Sequence, residues 1–301
     1  MTVTEQSGAV RTQHEPRKNR QLIKLIPLLL ALAGIVLLLY PVVGTLLKNH
    51  SQTGQAQVYT NQITGEATQE EREKAIADAH AWNDEHQGMP ILDPWLARVT
   101  KDNPDYDTYL KQLNITDAMG RIVIPSISSD LPIYHGTRED TLTRGIGHLY
   151  GSSLPVGGEG THSILTGHTG LPGATMWDNL KELGTGDAVY MDVAGQKMKY
   201  EVSNIDVVLP DKTSTLEPVA GKDQITLITC TPYGVNSHRL LITAQRVPLD
   251  EDDNEVFSQT YSPWQWWMTA ALSIVAVVIL IIFLVWMSAR KRRRKGDLAD
   301  A

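Results

Sequence analysis

The chain has 301 residues, 42% hydrophobic and 20% charged, with a formal net charge of −7 at pH 7, a balance that excludes a disordered or collagen-like polypeptide. The charge is unevenly placed: 12 of the 27 lysines and arginines lie in the two ends, leaving 15 basic against 30 acidic residues between them. Such an acidic middle disfavours nucleic acid as a partner and suits a cationic or lysine-bearing one.

In chain order, residues 1–24 form a tail containing Arg11, Arg17, Lys18, Arg20 and Lys24. The next 23 residues, Leu25 to Leu47, carry no charge, and as a helix they would reach about 34 Å, enough to cross a bilayer core. A cleaved secretory signal fits less well, because the apolar run is too long and no small-x-small site follows it. Asn49 to Gln69 is polar and reads as a linker or stalk. Thr68 and Glu71 have capping-box spacing, and Ala75, Ala79 and Trp82 share one helical face, so a helix is expected from about Gln69 to Asn83. Glu85 to Asp117 has prolines, charges and few periodic apolar residues, the character of a long loop of the lid or binding type. Residues 48–119 are thus expected to hold an extracellular linker, a helix and a lid segment.

From Gly120 the pattern changes to short strands separated by Gly, Pro, Asn and Asp: "RIVIP", "LPIY", "HSILT", "DAVYMDV", "KMKYEVSNIDVVL", "QITLIT" and "RLLITAQRV". Ala174 to Leu183 reads as the one further helix. Seven or eight strands in so short a stretch predict a mostly β fold, a closed or nearly closed β-barrel of about eight strands over residues 120–249. Residues 250–263 read as a linker. Residues 264–288 form a second apolar span, with Trp264, Trp266 and Trp267 at one end and Trp286 near the other, as interfacial anchors do. Residues 289–301 are a basic tail containing "RKRRRK". Basic residues flank the outer ends of both spans, which predicts cytoplasmic termini and an outward-facing middle.

Cys230 is the single cysteine. It lies where an apolar strand gives way to the turn "TPYGVNS", a place where a barrel presents side chains to a ligand. A thiol here is either an inert core residue or a nucleophile, and a nucleophile needs a neighbouring base or cation to raise its thiolate fraction. The histidines of the middle portion are His50, His80, His86, His135, His148, His162, His168 and His238. His168 sits in the Gly-flanked turn "TGHTG", which leaves the ring accessible. His238 and Arg239 are consecutive and would point to opposite faces of a strand. His162 and His168 lack the spacing of a metal site, so no metal is expected.

"TLITC", Arg239 nine residues after the cysteine, and "TGH" upstream resemble the sortases, cysteine transpeptidases of Gram-positive cell surfaces. The likeness extends over Gly120 to Val247 through "GRIVIPSI", "LPIYHG", "GIGHLYGSSLPVGGEGTHSILTGHTGLP" and "TLITCTPYGVNSHRLLITAQR". The apolar helix after the barrel and the stretch "LDPWL" resemble class C, the pilin-polymerising branch, whose lid carries Asp-Pro-aromatic. The resemblance implies that Cys230 attacks the Thr–Gly bond of an LPXTG-type sorting signal, that His168 is the general acid/base, and that Arg239 holds substrate and oxyanion. It implies that Asp93 and Trp95 form the lid, and that a pilin lysine resolves the thioacyl enzyme as an isopeptide, with no cofactor. It also implies a Gram-positive cell membrane as the location, with the catalytic domain on the extracellular face. Many class C members have Arg where this chain has Thr169. Competing readings are a sortase that anchors proteins to peptidoglycan, an extracellular cysteine protease, and a tethered adhesion or scaffold module in which Cys230 merely packs.

Overall fold

A computed structural model describes residues 18–86, 104–212 and 216–297. Asp93 and Trp95 lie outside the described residues. The chain divides into two compact units: one runs up to Pro41 and resumes at Thr269, the other is Val42–Met268.

Two long helices enter the first unit, α1 (Lys18–Gly65) and α5 (Trp266–Asp297). Both contain stretches long and apolar enough to cross a membrane by length and composition. Their leucines, isoleucines and valines are largely exposed, from Leu25 to Leu37 and from Leu272 to Val285. Such continuous apolar exposure is costly in water and calls for an apolar surrounding.

The second unit is the barrel with its flanking helices. Strands β1 (Gly120–Ile124), β2 (Ser129–His135), β3 (Ile146–His148), β4 (Thr161–Thr166), β5 (Ala188–Val193), β6 (Gln196–Val208), β7 (Asp223–Thr231) and β8 (His238–Val247) close in the order β1-β2-β3-β4-β7-β8-β6-β5. The pairs β2–β3 and β4–β7 are parallel and the others antiparallel. The expected strands are present, and β3 is the eighth. On β6, Met198, Tyr200 and Val202 are buried while Lys197, Lys199 and Glu201 are not, the alternation their sequence implies. The barrel is filled by a single large cluster that includes Ile122, Ile133, Leu165, Trp177, Met191, Leu227 and Ile242.

Helix α2 (Gln69–Glu85) begins with the expected capping box, Thr68 and Glu71 bonding reciprocally, and buries Ala79 and Trp82. Helix α3 (Pro104–Tyr109), within the stretch expected to be a loop, ends on Tyr109, whose hydroxyl bonds the His148 carbonyl and ring and accepts the Gly136 N–H. A short helix, α4 (Glu139–Leu142), follows β2.

Three expectations need correction. The polar stretch from Asn49 is no linker: α1 continues through it to Gly65. Of its buried residues, Val42, Thr45, Asn49, Gln52, Ala56, Tyr59 and Ile63 are spaced alternately three and four apart, one helical stripe with Thr53 at its edge, but its middle is polar. Ala174 to Leu183 is no α-helix: Met176 takes a φ of +43°, and only a 3-10 turn, Leu180–Glu182, forms. The stretch 250–263 is not a free linker, since its 3-10 segment Asp252–Ser258 buries Phe257 against Val123 and Tyr190.

Arg121 on β1 joins these parts. Its side chain is 1% exposed, and Nε and Nη2 bond the two Asp130 oxygens at 2.8 and 2.9 Å. Nη1 donates to the Phe257 carbonyl at 2.9 Å and to Thr60 Oγ1 at 3.1 Å, tying α1 and the segment after β8 to the barrel. Removing one partner of such a buried pair strands the other. Arg121→Met is therefore expected to cost roughly 3–5 kcal/mol of unfolding free energy, and Arg121→Met with Asp130→Leu less than the single change. Urea unfolding measures both; a loss below about 0.5 kcal/mol in the single variant would contradict this role.

Candidate active site

Strand register assembles the site. Cys230 on β7 lies directly opposite Arg239 on β8, and His238 opposite Thr231. Residues directly opposed in an antiparallel pair project from the same face, so Cys230 and Arg239 share a face that His238 does not. On the other side of β7, β4 runs parallel with Thr166 beside Ile228. The pairing continues past the strand end, because the Gly167 N–H bonds the Ile228 carbonyl at 3.0 Å. Alternation through Gly167 carries His168 to the face and level of Cys230.

That face is the outer one. Leu165, Leu227, Leu240 and Ile242 belong to the barrel interior, while Ile164, Ile228 and Leu241 form a second cluster with Leu149 and Leu216. Cys230 and Arg239 stand at the end of this apolar floor, each 8% exposed, and the His168 side chain is 16% exposed. A buried thiol that shares a strand face with a guanidinium has a cation on hand that favours its thiolate form. Arg239 Nη1 donates to the carbonyls of Asn236 and His238 at 3.3 Å, anchoring the guanidinium base on the β7–β8 turn. Glu139 Oε2 of α4 lies 3.3 Å from His168 Nε2.

Three of the other histidines have structural partners. His148 is fully buried: with Nε2 donating to the Ser153 carbonyl, Nδ1 accepts from Tyr109, and desolvation lowers its pKa to about 4. His162 lies between Thr226 Oγ1 and the Glu217 carbonyl, and His135 binds the Gln112 carbonyl; burial lowers the pKa of both. Among the described residues no three His, Cys, Asp or Glu side chains gather to hold a metal ion.

The family model of the sortase domain matches residues 122–247. Sortase A of Bacillus anthracis is 31% identical over 147 residues, which is 48% of this chain and 68% of that protein. The chain belongs to the sortase family. Sortase C-1 of Actinomyces oris is similar in structure with a TM-score of 0.58 and 57% identity, over 60% of this chain and 99% of that one. Sortase A of Corynebacterium diphtheriae gives a TM-score of 0.62 and 50% identity, over 67% and 96%.

In this sortase the turn that carries His168 is held from beneath by residues that strand pattern did not single out. Trp177, fully buried, lies so close to Gly167 that an added Cβ would stand 2.6 Å from its ring, which is why the residue before His168 has no side chain. The Trp177 N–H bonds the His168 carbonyl at 3.2 Å. Asp178 Oδ1 accepts the Gly170 N–H at 2.7 Å; burial pushes its carboxyl up to about 6, against the pull of that N–H and of Lys181. Thr229 Oγ1 donates to the Gly167 carbonyl at 2.7 Å, so the Thr169 hydrogen is directed to Thr229, also at 2.7 Å, with the Trp177 carbonyl 3.2 Å away. Thr169, where many class C members have Arg, thus stitches the His turn to the strand of Cys230. The sequence signal for this network was the alternation that sets Thr229 on the face opposite Cys230, a hydroxyl in a strand with apolar residues on both faces and so in need of a partner.

Thr229→Val keeps the shape but removes two hydrogen bonds. Expected are a stability loss of about 1–3 kcal/mol and a fall in turnover with KM little changed. Thermal unfolding and steady-state kinetics with a sorting-signal peptide check this; unchanged kcat would show that the stitch does not hold the His turn.

Proposed function

We propose that this sortase is a class C enzyme that polymerises pilin subunits. The observation that carries the chemical part is the register that sets Cys230, His168 and Arg239 on one face at the ends of three adjacent strands. The class rests on "LDPWL", on the apolar helix after the barrel, and on the likeness to a sortase C-1.

The steps follow from the groups. The Cys230 thiolate attacks the threonine carbonyl carbon of an LPXTG-type signal, and the Arg239 guanidinium offsets the charge that develops on the oxygen. As the C–N bond breaks, His168 gives its proton to the glycine amine, leaving a thioester on Sγ. A lysine ε-amine of the next pilin subunit then attacks the thioester carbonyl. His168 takes the proton from that nitrogen, the C–S bond breaks, and the thiolate returns. One peptide bond is exchanged for one isopeptide bond, with no cofactor required. The acidic middle portion of the chain suits a lysine-bearing acceptor. The two apolar helices would hold the enzyme in a Gram-positive cell membrane, with the barrel outside and both termini in the cytoplasm.

Cells carrying Cys230→Ala are expected to lose high-mass covalent pilin polymers while other surface proteins remain attached to the wall. Immunoblots of wall extracts separate the outcomes. Persisting polymers with unchanged wall attachment would refute the nucleophile, and intact polymers with lost wall attachment would favour peptidoglycan anchoring.

Asp93 and Trp95, by their motif, are proposed to guard the cleft. Replacing both with Ala should speed the labelling of Cys230 by a thiol reagent several-fold; an unchanged rate would mean that they do not cover it.

A further inference from the structure

The segment after the His turn, Thr175 to Asn179, is gripped by the two ends of the barrel unit. From α1, Asn49 reads Thr175 with both halves of its amide. Nδ2 donates to Thr175 Oγ1 at 2.8 Å, and Oδ1 accepts the Thr175 N–H at 2.9 Å. One turn further, Gln52 Nε2 lies 2.8 Å from the sulfur of Met176. From the other end of the unit, immediately before α5, Gln265 Nε2 donates to Asn179 Oδ1 at 2.6 Å. All of these side chains are buried: Asn49, Gln52, Thr175 and Met176 at 3% exposure or less, Asn179 and Gln265 at 8%. Asn49 Nδ2 also reaches the Pro263 carbonyl, so the two grips touch each other.

Buried amides of this kind are expensive unless every polar atom is satisfied, and leucine at the same positions of a helical stripe would pack without that demand. A polar seam is worth its desolvation where it fixes one arrangement rather than merely holding two surfaces together. What it fixes here lies two hydrogen bonds from the reacting groups. The gripped segment contains Trp177, whose N–H bonds the His168 carbonyl and whose carbonyl faces the Thr169 hydroxyl. It also contains Asp178, which holds the Gly170 N–H.

We infer that Asn49 and Gln265 are positioning residues for His168, so that the helical stems leading out of the barrel unit are part of the catalytic apparatus and not only a tether. This rests on the assignment of His168 as acid/base. The stems set the Thr175–Asn179 segment, and that segment sets the height of the imidazole beside Cys230. A misplacement of about 1 Å can cost up to 100-fold in rate, which gives the seam the leverage the inference requires.

The test uses the full-length chain in detergent micelles with a fluorogenic LPXTG-type peptide. Asn49→Ala and Gln265→Ala are expected to lower kcat roughly 10- to 100-fold with KM within about twofold of wild type. Thr175→Val, which loses the hydroxyl, should fall with them, whereas Thr175→Ser, which keeps both contacts, should restore wild-type turnover. Gln57→Ala is the control, because Gln57 joins the same stem to Thr260 at an exposed site remote from the His turn. It should leave kcat unchanged. Melting temperatures identify any variant that fails to fold, and Thr175→Val, which differs from the wild type only by a methyl in place of the hydroxyl, decides the matter in that case. Wild-type kcat in Asn49→Ala and Gln265→Ala, or equal losses in Gln57→Ala, or Thr175→Val turning over like Thr175→Ser, would overturn the inference. His168→Ala is run alongside: if it stays active, the acid/base assignment itself fails, and if it is dead while the stem variants are normal, only the positioning role fails.

Discussion

Parallel pairing of β4 with β7, beside the antiparallel pairing of β7 with β8, is the constraint on which the site depends. β7 lies between β4 and β8, and the two registers together fix what stands at its end. Shift β8 by one residue and His238 would replace Arg239 beside Cys230; shift β4 by one and Gly167 or Thr169 would replace His168. A slip by one also sends the interior residues Leu165, Leu227, Leu240 and Ile242 outward, so burial of the barrel core enforces the alignment of the reacting groups. The hydrophobic effect is thereby made to hold a register that is chemically useful.

The support around that register is polar and buried, which is unusual for a fold driven by apolar packing. Arg121 bridges β1 and β2 to α1 and to the segment behind β8. Thr229 and Thr169 lock the His turn, and Asn49 and Gln265 grip the segment beneath it. Each link replaces non-directional contact with donors and acceptors that tolerate one geometry. That is the property the proposed two-step acyl transfer needs, since His168, as its proposed acid/base, has to meet first the leaving nitrogen and then the incoming one at the same place.

The barrel was legible because its strands are short, alternate in polarity and are punctuated by turn residues. The exception is β3, whose three residues are too few to show a period. The helical continuation of α1 was hidden for a physical reason: its buried stripe is occupied by Thr45, Asn49 and Gln52, which read as solvent-facing, and only Val42, Ala56, Tyr59 and Ile63 mark the apolar spacing. Ala174 to Leu183 carried apolar residues at helical intervals, but Met176 adopts a left-handed conformation and the segment instead winds around Trp177. Cys230, His168 and Arg239 were legible as residue types in a spacing. Their common face was not, because both faces of β7 are buried and both mix aliphatic residues with threonine, so nothing in the strand distinguishes the barrel interior from the outer floor.

The central claim is that this convergence makes Cys230 an acyl-accepting nucleophile. It is tested most directly by intact-mass spectrometry of the chain mixed with an LPXTG-type peptide and quenched in acid. The account predicts a single adduct with the mass of the peptide cut after threonine, mapped to Cys230, absent in Cys230→Ala and strongly reduced in Arg239→Lys. An adduct on another residue, or one that survives in Cys230→Ala, would contradict it.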